Sequence, residues 1–248
     1  MINPIINDIK EETRKIEKQE KVKVLFLIES GSRAWGWASE DSDYDIRGVF
    51  VQDYTNFNLK DQITKTIGDL DIVLWDLKKF LKLMLNSNPS VWEWLSSELI
   101  YAENSLRKEL MKMFMGKFSP YKLKKHYLSM ARQNFEKYIN TGKETANLKK
   151  YVYVLRSVAC VLFIEKNNLP PPKDYKKIIK YLPKNIQEFF EKIIKNKTSS
   201  ESTEGKRNKE VDSYIVSFWH RTIEKAESKF NENKLEMIFK EQAKKFRI

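Results

Sequence analysis

Gly31-Ser32-Arg33-Ala34-Trp35-Gly36, followed by Ser42-Asp43-Tyr44-Asp45-Ile46-Arg47, sets a tight turn and two closely spaced carboxylates in one short stretch. The turn leaves an apolar run, Val22-Lys23-Val24-Leu25-Phe26-Leu27-Ile28, whose β-branched and aromatic residues read as a buried strand. A Gly-Ser step at that point lets the backbone pass close to a ligand. A helix starting at Ser32 would aim its free N–H groups at an anion. Asp43 and Asp45 lie two apart, so on an extended strand both carboxylates project from one face. Hard oxygen ligands at this spacing suit Mg²⁺, which takes one or two protein carboxylates together with substrate phosphates. The chemistry such a pattern supports is phosphoryl or nucleotidyl transfer.

A reaction that uses two ions about 3.5–4 Å apart needs a further acidic group near the incoming hydroxyl. Asp71 opens the run Asp71-Ile72-Val73-Leu74-Trp75, a strand expected to lie beside the one carrying Asp43 and Asp45. Asp69 and Asp76 compete with it. Asp69 reads as a turn residue, and Asp76 reads as the cap of a helix that begins at Leu77. Asp71 is preferred because it alone sits inside a strand lining the site. Arg33 and Arg47 can each meet a phosphate or pair with local acids. Trp35 and Trp37 can pack in a core or stack on a base. Neither His126 nor His220 has a metal-ligand partner at helical or loop spacing, and Glu93, between Trp92 and Trp94, reads as a buried-helix carboxylate whose ion pair holds two helices together.

These residues need elements to carry them. The 248 residues are 41% hydrophobic and 32% charged, with only seven Gly and seven Pro, which predicts a mostly helical globular chain. No run approaches membrane-span length and no signal-peptide core is present; with Cys160 as the lone cysteine, in an apolar run, a cytoplasmic location is expected. Residues 4–20 predict an amphipathic helix, and Gln62–Ile67 and Leu70–Trp75 a hairpin about Gly68-Asp69. Leu77, Phe80, Leu81, Met84 and Leu85 recur at helical spacing, and Asn88-Pro89 starts another helix. Beyond residue 103 only helical patterns are evident, at 103–115, 119–140, 144–167, 173–181, 184–196, 208–230 and 232–246. Pro170-Pro171-Pro172 reads as a rigid connector and Thr198–Gly205 as a polar mobile loop. Charge divides unevenly: residues 1–100 carry 13 Lys and Arg against 17 Asp and Glu, and residues 101–248 carry 33 against 17. The acidic part suits a metal site, and the basic part, net +16, suits a polyanion.

Gly-Ser-x-x-x-Gly followed by Ser-Asp-x-Asp resembles the signature of the DNA polymerase β-like nucleotidyltransferase superfamily. The fuller forms, with Asp71-Ile72-Val73-Leu74-Trp75-Asp76-Leu77-Lys78-Lys79 and Asn88-Pro89-Ser90-Val91-Trp92-Glu93-Trp94-Leu95, are similar to its RlaP (YcgL-type) branch. Lys150-Tyr151-Val152-Tyr153-Val154-Leu155-Arg156 and the Pro-rich Leu169–Tyr175 extend the likeness over most of residues 24–180, while Leu74 stands where the branch usually has Gly.

The resemblance implies an α+β fold: a minimal nucleotidyltransferase mixed sheet with flanking helices, followed by an all-helical C-terminal domain. The division expected is a catalytic domain at 1–105 and a basic helical domain at 106–248 that binds acceptor or nucleotide. Gly31 and Ser32 would contact an NTP such as ATP, with Arg33 and Arg47 beside them. Asp43 and Asp45 would hold Mg²⁺ (two ions, replaceable by Mn²⁺), and Asp71 would be third ligand or base. Lys150, Tyr151 and Arg156 would offer a clamp for the β- and γ-phosphates. The acceptor expected is an RNA 3′ end, in RNA repair or tRNA end modification. The alternatives are nucleotidylation of a small molecule or a protein side chain, or a non-catalytic nucleotide-sensing or antitoxin-like module.

Overall fold

The apolar run before the glycine turn becomes β1 (Val22–Glu29), whose last four residues are all buried. In the computed structural model, which describes residues 4–55, 57–197, 204–221, 223 and 229–246, this strand helps to centre a five-stranded mixed sheet. β1 pairs antiparallel with β2 (Tyr44–Gln52) and with β5 (Ile100–Ala102). On the far side, β2 pairs parallel with β4 (Leu70–Asp76), which closes an antiparallel hairpin with β3 (Gln62–Ile67). The order is β3-β4-β2-β1-β5.

Strand alternation divides the side chains between two apolar layers. Leu27, Ile46, Phe50, Leu70, Ile72 and Leu74 face a layer shared with Ile9 and Ile16 of α1 (Pro4–Glu20). Phe26, Ile28, Val49 and Val51 face the other layer, filled by α3 (Leu77–Leu85), α4 (Pro89–Leu95), α5 (Ser105–Lys117) and α11 (Glu232–Phe246). Phe26 meets Phe80 edge-on at 5.8 Å, and Tyr54 meets Phe239 at 4.7 Å. Asp45, Arg47 and Asp71 share the parity of this second face, beyond the end of its apolar part.

The remaining described residues form a unit of their own. Its elements are α6 (Pro120–Tyr138), β6 (Thr145–Asn147), α7 (Leu148–Asn167), α8 (Tyr175–Ile179), α9 (Lys184–Lys197), β7 (Glu204–Lys206), α10 (Lys209–Val216) and a 3-10 turn, Ser217–His220. α7 is buried at eleven positions, from Tyr151 to Ile164, and is the axis of this unit. Trp37 is buried here too, edge-on to Tyr153, Tyr175 and Phe190 within 6.3 Å, so the packing reading holds for this tryptophan.

By contacts the chain groups as Met1–Trp35, Ser42–Phe118 and Ser228–Ile248 in one unit, with Gly36–Asp41 and Ser119–Glu227 in the other. This partition differs from a cut between residues 105 and 106. Leu106, Leu110 and Phe114 of α5, and Leu235 and Ile238 of α11, are buried in the apolar layer above the sheet, so both helices belong with it. The helical region is also not all helix: β6 and β7 pair as a two-stranded ribbon, and a Cβ on Gly205 would lie 2.6 Å from Leu148 Cδ1, so a larger residue there would displace that side chain. The helix expected at 208–230 ends at Val216 and the 3-10 turn. Most of the Thr198–Gly205 loop lies outside the described residues.

Candidate active site

The parallel register of β2 and β4 sets Asp45 directly opposite Asp71. Arg47, next on the same face, reaches back between them. One guanidinium nitrogen donates to Asp45 Oδ1 and to Asp71 Oδ2, each at 2.8 Å. The other donates to the carbonyls of Ile46 at 3.0 Å and Asp71 at 2.7 Å. The Arg47 side chain keeps only 17% of its exposure, so its charge depends on these partners.

The second oxygen of Asp45 rests against the glycine turn. Gly31 has φ +59°, and a Cβ built on it would fall 1.7 Å from Asp45 Oδ2. A side chain here would be strained at this φ and would force the Asp45 carboxylate to shift. The main chain holds the same pairing: the Ser30 N–H donates to the Asp45 carbonyl at 2.8 Å. α2 (Gly31–Trp35) starts from this turn, with Ser32 buried in its first turn.

Glu29, which the sequence reading passed over, supports Asp45 from below. It is fully buried at the end of β1, accepts the Asp45 N–H at 2.7 Å and also accepts the Tyr101 hydroxyl. Burial pushes its carboxyl above the ordinary 4.5, against the opposing pull of the Tyr101 hydrogen bond. Burial and the Glu29 carboxylate also push the Tyr101 hydroxyl up, which keeps it a donor. The available signal was a charged residue closing an apolar strand immediately before Ser30-Gly31, a place where a carboxylate needs built-in partners.

Asp43 is exposed one residue before β2, and its carbonyl, with that of Ser42, receives the Arg33 guanidinium at 3.3 and 2.6 Å. Arg33 also lies over the Tyr44 ring at 3.9 Å, so it braces the loop that delivers the aspartates. The Trp35 indole donates to buried Glu93 at 3.1 Å, which ties α2 to α4. Asp69 lies in the hairpin turn, its carbonyl accepting the Tyr44 N–H at 2.8 Å. Asp76 caps α3, accepting the Lys78 N–H at 2.9 Å along with Gln52 and Tyr54.

Among the described residues, no three His, Cys, Asp or Glu side chains converge as a metal cluster. Asp45 and Asp71 nevertheless gather two hard oxygens on one nitrogen cation, a donor pair of the kind Mg²⁺ takes. The three α7 residues lie in the helical unit. Tyr151 is fully buried and donates to Asp212 Oδ1 at 2.5 Å, and Arg207 holds the other Asp212 oxygen at 2.9 Å. Arg156 is buried as well, while Lys150 is half-buried with its ammonium 4.4 Å from the Tyr138 ring centre. Tyr151 and Arg156 thus serve the interior of their unit, not its surface. No helix among the described residues is long and apolar enough to cross a membrane.

The model of one protein family, described as the RNA repair pathway DNA polymerase beta family (RlaP), matches residues 5–239. YcgL of Bacillus subtilis (strain 168), described as uncharacterized, is 40% identical over 171 residues, which cover 66% of this chain and 65% of that protein. The chain therefore spans just under two thirds of that relative's length. A crystal structure of a nucleotidyltransferase-like protein from Exiguobacterium sibiricum 255-15 aligns over 86% of this chain and 73% of its own, at 12% identity and a TM-score of 0.35.

Proposed function

The chain belongs to the RNA repair pathway DNA polymerase beta family, and from that premise we propose that it transfers an NMP from an NTP to a hydroxyl, with an RNA 3′ end as acceptor. The observation that carries this reading is the pair Asp45 and Asp71, opposed in register and drawn together beside a glycine turn whose positive φ and close contact with Asp45 penalise any side chain.

Asp45 and Asp71 would hold Mg²⁺ or Mn²⁺, with Asp43 joining from the entrance to β2. Held by these residues, the metal would supply charge neutralisation at the NTP phosphates. Asp71, with 37% of its side chain exposed against 29% for Asp45, is the carboxylate better placed to take the proton of an incoming hydroxyl. Gly31 and Ser32 would approach the triphosphate, and Arg33 keeps the aspartate loop in place. Of Lys150, Tyr151 and Arg156, Lys150 is the one that is not buried. Support for an RNA acceptor comes from the family description and from the +16 net charge beyond residue 100. The buried lone Cys160 supports a reducing, cytoplasmic setting.

The test incubates the protein with each labelled NTP, Mg²⁺ and total cellular RNA, beside Asp43→Ala and Asp71→Ala. Label should enter RNA with the native chain and not with the variants. Equal label in all three refutes the assigned site; label on protein alone refutes the RNA acceptor and favours protein nucleotidylation. RNA binding that does not weaken with added salt would also count against the basic unit as the acceptor surface.

A further inference from the structure

We propose that Arg47 is a displaceable internal counter-ion: its guanidinium fills the seat between Asp45 and Asp71 that a divalent ion takes, and metal enters by exchanging with it. This rests on the metal-dependent reading above and deepens it.

The geometry leaves little choice. A single Arg47 nitrogen stands 2.8 Å from an oxygen of each carboxylate. Mg²⁺ binds oxygen at about 2.0–2.1 Å and demands a near-regular shell. An ion bridging the same two oxygens must occupy the place of that nitrogen, and two cations cannot share it. The other Asp45 oxygen gives no alternative seat on its inner side, since it rests against Gly31.

The second Arg47 nitrogen holds two backbone carbonyls, of Ile46 and Asp71, that do not depend on either carboxylate. Both nitrogens belong to one planar group, so the guanidinium leaves the carboxylates by turning as a whole, and a carbonyl partner can still keep it within the site. The side chain is largely buried, so the released charge needs a new anion. The triphosphate of an incoming NTP supplies one, and the planar guanidinium suits it bidentately where a lysine would not. Metal and nucleotide are then coupled through Arg47: each makes room for the other, so Arg47 discriminates against metal alone.

Mn²⁺ titration followed by electron paramagnetic resonance, with and without a non-hydrolysable NTP analogue, tests this without reference to turnover. In the native chain the analogue should tighten Mn²⁺ binding. Arg47→Gln should bind Mn²⁺ alone roughly tenfold more tightly than the native chain and gain little from the analogue. Arg47→Lys, which keeps the charge but loses the fork, should fall between, and it decides the question if Arg47→Gln does not fold. Asp45→Asn should lose the site. If Asp45→Asn abolishes binding while both Arg47 variants bind Mn²⁺ equally or more weakly than the native chain, Arg47 is a fixed scaffold and the exchange is refuted. If Asp45→Asn binds as the native chain does, the metal reading and the exchange fall together.

Discussion

Gly31→Ala places a methyl group 1.7 Å from Asp45 Oδ2 and 2.6 Å from Asp45 Cγ, where ordinary contact begins near 3.4 Å. The carboxylate must retreat by roughly the difference, and little can move with it. The Asp45 N–H is pinned to buried Glu29, its carbonyl to the Ser30 N–H and its outer oxygen to Arg47. A displacement of about 1 Å in a reacting group costs on the order of 100-fold in rate. NTP-dependent labelling should fall by at least about that factor, and Mn²⁺ binding should weaken with it. The backbone contributes separately, because a residue with a side chain at φ +59° costs about 1–2 kcal/mol. In a chain of this length that lowers the melting temperature by roughly 2–8 °C. Gly36→Ala is the matched control. It carries a similar backbone penalty at φ +88°, but the nearest atom to its new Cβ, Tyr175 Cδ1, is 3.7 Å away and belongs to no proposed ligand. It should melt lower yet keep most of its activity. If Gly31→Ala retains labelling and Mn²⁺ affinity within about threefold of native, the tight seat of Asp45 is not what the site requires.

Other outcomes follow from the same contacts. The three rival carboxylates should separate cleanly: Asp71→Asn weakens Mn²⁺ binding with little change in melting, Asp69→Asn changes neither, and Asp76→Ala leaves Mn²⁺ binding intact but costs about 2–3 kcal/mol through the lost cap and the stranded Tyr54 and Gln52 donors. Because burial raises the Glu29 pKa above 4.5, the folded chain holds that proton more tightly than the unfolded one; the resulting stability is complete below about 4.5 and is lost as pH rises through the folded-state value. Glu29→Gln, uncharged throughout, should therefore gain melting temperature relative to the native chain as pH rises above about 4.5, and a difference independent of pH would refute the assignment. Tyr151→Phe should lower the melting temperature by removing the bond to Asp212 while leaving the KM for NTP unchanged; a raised KM would instead return Tyr151 to the nucleotide.

Much of this arrangement is legible in the residues, for physical reasons. Strands with alternating or continuous apolar character declare themselves, so β1, β3 and β4 stand within one residue of where their patterns put them. The same holds for α3, whose cap is the expected Asp76. β5, β6 and β7 have three residues each, too few for any period, and β6 finds its partner nearly sixty residues away. Within the site, Asp71 could be preferred over Asp69 and Asp76 because the turn and the helix cap that claim those two are local signals, although Asp76 also closes β4. What Arg47 touches is not local: its partner Asp71 stands on another strand, and only the parallel register brings the two together. Glu29 was hidden for the same reason, since its partners Asp45 and Tyr101 lie at either hand on neighbouring strands. Trp35 and Trp37, read as a pair, turn to different tasks because the chain changes unit at Gly36.

The membership of α11 in the sheet unit bears on how the chain is made. Synthesis delivers the strands first, yet Leu235 and Ile238 belong to the apolar layer that covers them, and Phe239 lies against Tyr54. The helical residues between the two parts of the sheet unit must therefore emerge before that unit can close. A chain stalled before about residue 230 leaves the Phe80 and Phe114 layer open to water beside a preformed pair of aspartates. Apolar exposure of that kind attracts chaperones and proteases. Placing this helix after the helical unit makes stability of the carboxylate-bearing unit conditional on synthesis through α11, so products that stop short of it should be removed before they accumulate.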